Sequence, residues 1–364
     1  MGKWLFIFGA VIAAAALGFI YMTVCVGRFG GIKKLSRGKR AAGFFISLGA
    51  VFAVFALLAV LISVVNAVIV LLHEVLFFML FGLGVRIAKR LRKKEFKYNW
   101  QGWLALPVSA VYLAVGWYLC HSVVQTDYSL TTDKDVGSIK AALIADSHIG
   151  VTFDGEGFAK HLKTIEAQSP DLLLIAGDFV DDGTSSEDLK RACRALGEMK
   201  LRYGVWYCYG NHDQGYYRHK DYTAEELENE LRSCGVHVLK DEYELVDDRF
   251  YIIGRKDGSR EERLEMDELL KGLDTDKYMI VLDHQPSDYD SEAASPADLI
   301  VSGHTHGGQL LPVTFAGEWL KMNDKTYGHE KRNGTDFIVT SGISDWEIKF
   351  KTGTRSEYVI ININ

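Results

Sequence analysis

Residues 138–148 read SIKAALIADSH: an apolar run that stops at an aspartate and a histidine two positions apart. The same pattern returns in DLLLIAGD (171–178), VWYCYGNHD (205–213), YMIVLDH (278–284) and ADLIVSGHTH (297–306). Apolar runs this short, bounded by turn residues, read as buried strands. Between them, residues 156–168 set Phe158, Leu162 and Ile165 on one helical face, and 186–200, 223–234 and 260–272 read as further helices. Short strands are also expected near 236–246, 249–254, 336–342 and 357–363. Strand–helix alternation of this kind predicts an α/β sandwich.

The polar groups at the ends of these runs carry the functional reading. In open α/β sheets, ligands bind beyond the carboxyl ends of the strands. Asp146-Ser147-His148, Gly177-Asp178, Gly210-Asn211-His212-Asp213, His284 and Gly303-His304-Thr305-His306 all fall there. A lone histidine after a strand is usually packed or solvated, and a lone aspartate usually makes a turn or a cap. Five such groups in register, three of them beside glycine, point instead to one site. Asp, His and Asn without a thiolate suit a divalent cation such as Mn, Fe or Zn. Asp146, His148, Asp178, Asn211, His284, His304 and His306 are enough for two ions, and one carboxylate can bridge a pair. Such a pair clamps the phosphoryl oxygens and holds a hydroxide in line with phosphorus. Glycines at 177, 210 and 303 let the backbone turn tightly there.

DxH, GD, GNHD, a lone H and GHTHGGQ, in this order, resemble the calcineurin-like metallophosphoesterases over about residues 136–364. The GHTHGGQLLP form and the apolar N-terminus are similar to the membrane-attached, YkuE-like branch with its multi-span relatives. The resemblance implies a four-layer α/β/β/α sandwich. It assigns one metal to Asp146, His148, bridging Asp178 and His306, and the other to Asp178, Asn211, His284 and His304. It gives His212 the place of the catalytic histidine, which steadies the phosphoryl oxygen and protonates the leaving group, with Asp213 orienting it. Ser147 replaces a frequent leucine, and the ending GISDWEIKFKTGTRSEY (342–358) lacks the Pro-rich form of this branch. His161, His219, His237 and His329 match no motif and read as surface or helix positions.

The first third of the chain differs from the rest. Residues 1–125 hold 14 Lys/Arg and 2 Asp/Glu, the remainder 27 and 45. An acidic domain without a basic stripe argues against nucleic acid as a partner. Five scattered cysteines with no CxxC form neither a disulfide framework nor a zinc knuckle, and read as single buried thiols. Residues 4–26 carry no charge, and about 20 apolar residues suffice to cross a bilayer. A cleavable signal peptide is the rival reading, but its apolar core would be shorter. Residues 41–85 carry one formal charge, Glu74, and fit two crossings with a hairpin near Ser63–Asn66. Residues 103–124 make a fourth span. The expected organisation is therefore a transmembrane region at 1–125, with spans near 4–26, 43–63, 66–86 and 103–124, and a metallophosphoesterase domain at 136–364. The basic loops 28–40 and 86–97 favour the cytoplasmic side, which puts everything after residue 125 outside the cytoplasm at the cell membrane. His73 and Glu74 lie near the middle of the third span, and each needs its own partner there.

The expected function is hydrolysis of a phosphomonoester, phosphodiester or pyrophosphate by two divalent ions beside the bilayer, on a substrate that includes lipid-linked phosphates. The alternative is a non-catalytic membrane binding or sensor protein that retains the scaffold. The segment LLPVTFAGEWL (310–320) follows the metal motif with Phe315, Trp319 and Leu320. Two roles are open to it: packing over the site, or dipping into the headgroup region.

Overall fold

The computed structural model describes residues 2–215 and 221–364. His219 lies outside the described residues. The chain divides into two compact units: Met1–Gly116 with Glu347–Lys349, and Trp117–Trp346 with Phe350–Asn364.

The larger unit has twelve strands among its described residues: β1 Val124–Leu130, β2 Ile139–Ile144, β3 Leu172–Ala176, β4 Val205–Cys208, β5 Val236–Leu239, β6 Glu242–Val246, β7 Phe250–Gly254, β8 Tyr278–Leu282, β9 Leu299–Ser302, β10 Gly328–Arg332, β11 Thr335–Val339 and β12 Glu357–Ile363. They form two six-stranded sheets, in the orders β1-β12-β2-β3-β4-β5 and β10-β11-β9-β8-β7-β6. β2 to β5 are parallel, and so are β7, β8, β9 and β11. The antiparallel partners β6 and β10 close the two edges of the second sheet.

Side chains alternate across a strand, so an unbroken apolar run must be covered on both faces. Ala142, Ile144, Leu173 and Ile175 pack outward against Phe158, Leu162, Leu189 and Leu227, which belong to helices over the first sheet. Their neighbours Ala141, Leu143, Leu172 and Leu174 face inward and meet Ile252, Ile280, Leu299 and Val301 of the second sheet. On the far side, Ile253, Met279 and Ile300 pack on Met266, Leu269 and Tyr289. The result is four layers, α/β/β/α. Burying each such Leu or Ile contributes about 1.5–3 kcal/mol against water.

The structure differs from the sequence reading in three places. The sheet begins at Val124, ahead of the residue-136 boundary, because β1 pairs in parallel with β12 from Val124↔Glu357 to Leu130↔Ile363. β10, GHEKR, carries no apolar signal because it is a charged edge strand. The helix expected over 260–272 shrinks to Met266–Leu269. Residues 259–263 are held by side chains instead: Ser259 N–H donates to Asp257 (2.9 Å), Arg260 Nε to the Asn211 carbonyl (2.7 Å) and Arg263 Nη1 to Asp283 (2.9 Å).

In the smaller unit, four helices among the described residues are long and apolar enough to cross a membrane: Phe8–Val26, Arg40–Ile62, Val64–Arg92 and Trp100–His121, the last running on into the larger unit. Ser63, at φ 95°, breaks the chain between the second and third, and its hydroxyl accepts from Asn66 N–H. Many of their large apolar side chains are exposed, such as Phe45, Val60 and Leu83. A soluble helix would hide that face, whereas a bilayer solvates it. Glu74 and His73 find separate partners: Ser109 Oγ donates to Glu74 at 2.6 Å, and His73 Nδ1 lies 2.8 Å from the Ile69 carbonyl, its ring near Tyr112.

Candidate metal centre

The five polar groups converge at the carboxyl ends of β2, β3, β4, β8 and β9. Their backbone is unusual. Asp146, His148, Asp178, His304 and His306 all have positive φ, between 35° and 69°. A non-glycine residue there costs on the order of 1–3 kcal/mol, which ordinary strand endings avoid. The strain turns successive side chains inward. Gly210 is needed for a different reason: a Cβ on it would lie 2.2 Å from Asp178 Oδ1.

Among the described residues, ligand atoms fall into three groups, each within 4.8 Å: Asp146, His148 and His306; Asp178, His284 and His304; and His148, Asp181 and His212. The first two are joined by Asp178. Its Oδ2 is 3.6 Å from His148 Nε2 and 3.1 Å from His284 Nε2. Asp146 Oδ1 is 3.7 Å from His306 Nε2 and 4.0 Å from His148 Nε2. Asn211 Oδ1 is 3.2 Å from His284 Nε2.

Two observations fit this cage to cations. Both ring nitrogens of His148 are buried without a hydrogen-bond partner. His284 Nδ1 sits 2.8 Å from the Ala176 carbonyl and donates to it, which leaves Nε2 as a lone pair facing the oxygens of Asp178 and Asn211. Three lone pairs pointing together repel unless positive charge lies among them. Accordingly, burial lowers the pKa of His284, but the Asp178 carboxylate outweighs it and holds the group well above its ordinary value. A divalent cation meets the same demand. His148 and His304 are pushed down to about 3, chiefly by burial, and so stay neutral and ready to ligate.

Asp213 is expected to orient the His212 ring; the structure also sets Asp181 there, its Oδ1 3.2 Å from His212 Nδ1. The Asp213 carboxylate accepts backbone N–H bonds from Asp178, Phe179, Val180 and Gly210, at 2.8–3.1 Å, and so ties the turn after β3 to the turn after β4. Burial, then the Asp178 charge, raises its pKa to about 6 against those N–H bonds. The spacing GDFVD (177–181) was the available signal for Asp181. His212 feels burial downward, yet Asp181 and Asp178 raise it above its ordinary value.

Behind β8, the wholly buried Arg255 bonds Asp283 at 2.8 Å, Asp288 at 2.9 Å and Glu292 at 3.3 Å. Asp283 immediately precedes His284, so this network anchors the turn that presents that histidine. Breaking such a buried pair from one side costs about 3–5 kcal/mol.

Residues 139–308 match the family described as calcineurin-like phosphoesterase. The chain carries a calcineurin-like metallophosphoesterase domain. Its relatives include an uncharacterized metallophosphoesterase of Campylobacter jejuni, 28% identical over 62% of this chain and 59% of its own length. A zebrafish transmembrane protein with metallophosphoesterase domain is 29% identical over 62% of this chain and 53% of its own. The chain thus spans little more than half the length of these relatives. Among solved structures, a Thermus thermophilus protein, TT1561, matches with a TM-score of 0.39 at 15% identity, over 57% of this chain and 89% of its own.

Proposed function

We propose that the protein is a membrane-associated phosphoester hydrolase with two divalent cations, held by Asp146, His148, Asp178 and His306 on one side and by Asp178, Asn211, His284 and His304 on the other. The observation that carries this reading is Asp178, whose Oδ2 lies between His148 and His284 and so serves both ligand groups. When bound, the cations supply Lewis-acid activation of the phosphoryl group and of the attacking water. The chain's own residues supply the rest. Asp181 takes the Nδ1 side of His212 and fixes the ring, which hands a proton to the departing oxygen. The non-catalytic alternative accounts for the scaffold but gives no reason for His212 to be buried against Asp181 beside the ligand groups.

The substrate we favour is a phosphate or pyrophosphate linked to a lipid. Directly after the metal motif, Leu311, Val313, Phe315, Trp319 and Leu320 are all exposed, Trp319 by 71%. They do not pack over the site as core, and aromatic side chains of this kind suit a bilayer interface. The test is a panel assay of the detergent-solubilised protein with Mn2+, comparing lipid pyrophosphates, glycerophosphodiesters and nucleotides. Lipid pyrophosphates are expected to turn over fastest, with Phe315→Ser/Trp319→Ser raising KM for them and leaving soluble esters unaffected. Nucleotides turning over fastest in both proteins would remove the lipid assignment.

We place the hydrolase domain outside the cytoplasm. Both basic loops, 28–40 and 86–97, then lie inside, and the chain between them crosses twice. Single cysteines at the exposed positions Lys39 and Lys190, in a cysteine-free background, report this with an impermeant reagent on intact cells. Labelling at 190 but not at 39 is expected; the reverse would invert the topology.

A further inference from the structure

Asp345 and Lys351 lie at the same site and belong to no motif read from the sequence. Both are fully buried. Asp345 Oδ1 is 3.4 Å from His306 Nδ1 and 3.1 Å from Lys351 Nζ. Lys351 Nζ also donates to the Ser341 carbonyl at 2.7 Å and lies 3.5 Å from Ser356 Oγ. The other nitrogen of the same imidazole, His306 Nε2, faces Asp146 in the first ligand group.

We infer that Asp345 is a positioning residue for the metal held by His306, with Lys351 as its ion-pair partner. The inference rests on the assignment of His306 as a ligand. Ligating histidines commonly donate their second N–H to a carboxylate, which fixes ring and tautomer and strengthens the lone pair on the metal side. Here Nδ1 is the nitrogen turned to the carboxylate, so Nε2 is the one left for the cation. His306 Nδ1 and both Asp345 oxygens are buried without an aligned hydrogen bond. A small ring rotation on ligation would close that contact. A carboxylate with no access to water needs a counter-charge. Once His306 is a neutral ligand, Lys351 is the cation that supplies it. The same backbone stretch fixes the geometry from both sides: Ser344 N–H donates to the Asp146 carbonyl at 3.2 Å, and Ile343 N–H to the Ala145 carbonyl at 3.0 Å.

The test is Mn2+ titration of the metal-stripped full-length protein in detergent, read by the free-Mn2+ resonance signal, with Co2+ absorption as a second readout. Asp345→Asn is expected to weaken one of the two binding steps by about 10–100-fold and leave the other near wild type. Asp345→Glu is expected to restore most of the loss. Asp345→Asn also strands the Lys351 charge, so the Asp345→Asn/Lys351→Met variant, which removes that charge, is measured beside it and should show the same weakened step and an altered Co2+ spectrum. Wild-type affinity at both steps in these variants would overturn the role of Asp345. His306→Ala binding two ions as tightly as wild type would instead overturn the ligand assignment beneath it.

Discussion

Replacing Asp178 by asparagine is expected to lower the occupancy of both metal positions together. The substitution preserves shape and removes the charge from a carboxylate that faces both groups, with His148 Nε2 at 3.6 Å and His284 Nε2 at 3.1 Å from the same oxygen. Its other oxygen accepts the His212 N–H at 2.8 Å, a bond that an amide oxygen can keep, so the turn at Gly210–Asp213 should persist. Outer residues that merely orient ligands cost about 10–100-fold in affinity, and a bridging ligand should cost at least that at each position. Metal analysis after gel filtration reads the result directly. One ion lost with the other retained would mean that Asp178 does not bridge.

His212→Ala is expected to leave both ions in place and to slow turnover of the natural substrate by about 10²–10⁴-fold, the usual contribution of a positioned acid or base. His212 belongs to neither of the two groups joined by Asp178; its ring sits 4.9 Å from that of His148 and its Nδ1 faces Asp181. With an aryl ester whose leaving group needs no proton, the loss should shrink. Asp181→Asn should follow the same pattern at smaller size, because the ring survives without its orienting charge. Equal turnover of wild type and His212→Ala on the natural substrate would remove the histidine from the reaction.

The strands β2, β3, β4, β8 and β9 were legible because a buried parallel strand must be apolar on both faces and must then stop. Their ends were legible for the same reason, since Asp, Asn and His stand out where a core strand finishes. β1 and β10 lie at sheet edges, where half the surface meets water and polar residues such as Gln125 and Glu330 are tolerated, so no pattern survives. The helix read at 260–272 failed because Arg260 and Arg263 are spent on Asn211 and Asp283 rather than on a helical face. Asp181, Asp345 and Lys351 were missed because each meets another side chain of the site rather than ending a core strand: Asp181 meets His212, Asp345 meets His306 and Lys351 meets Asp345. Asp345 reaches His306 across 39 positions of chain, a contact that only the folded sheets create. The membrane reading needed no tertiary information, since length and hydropathy suffice for it.

A two-cation centre that hydrolyses phosphoesters is tested most directly by titrating metal-stripped wild-type protein with Mn2+, following bound metal and hydrolysis of an aryl phosphodiester in the same samples. Binding should saturate at two ions per chain, with turnover rising as the second position fills and absent in Asp178→Asn. Saturation at one ion or fewer, or two bound ions with no hydrolysis of any phosphoester in the substrate panel, would contradict it.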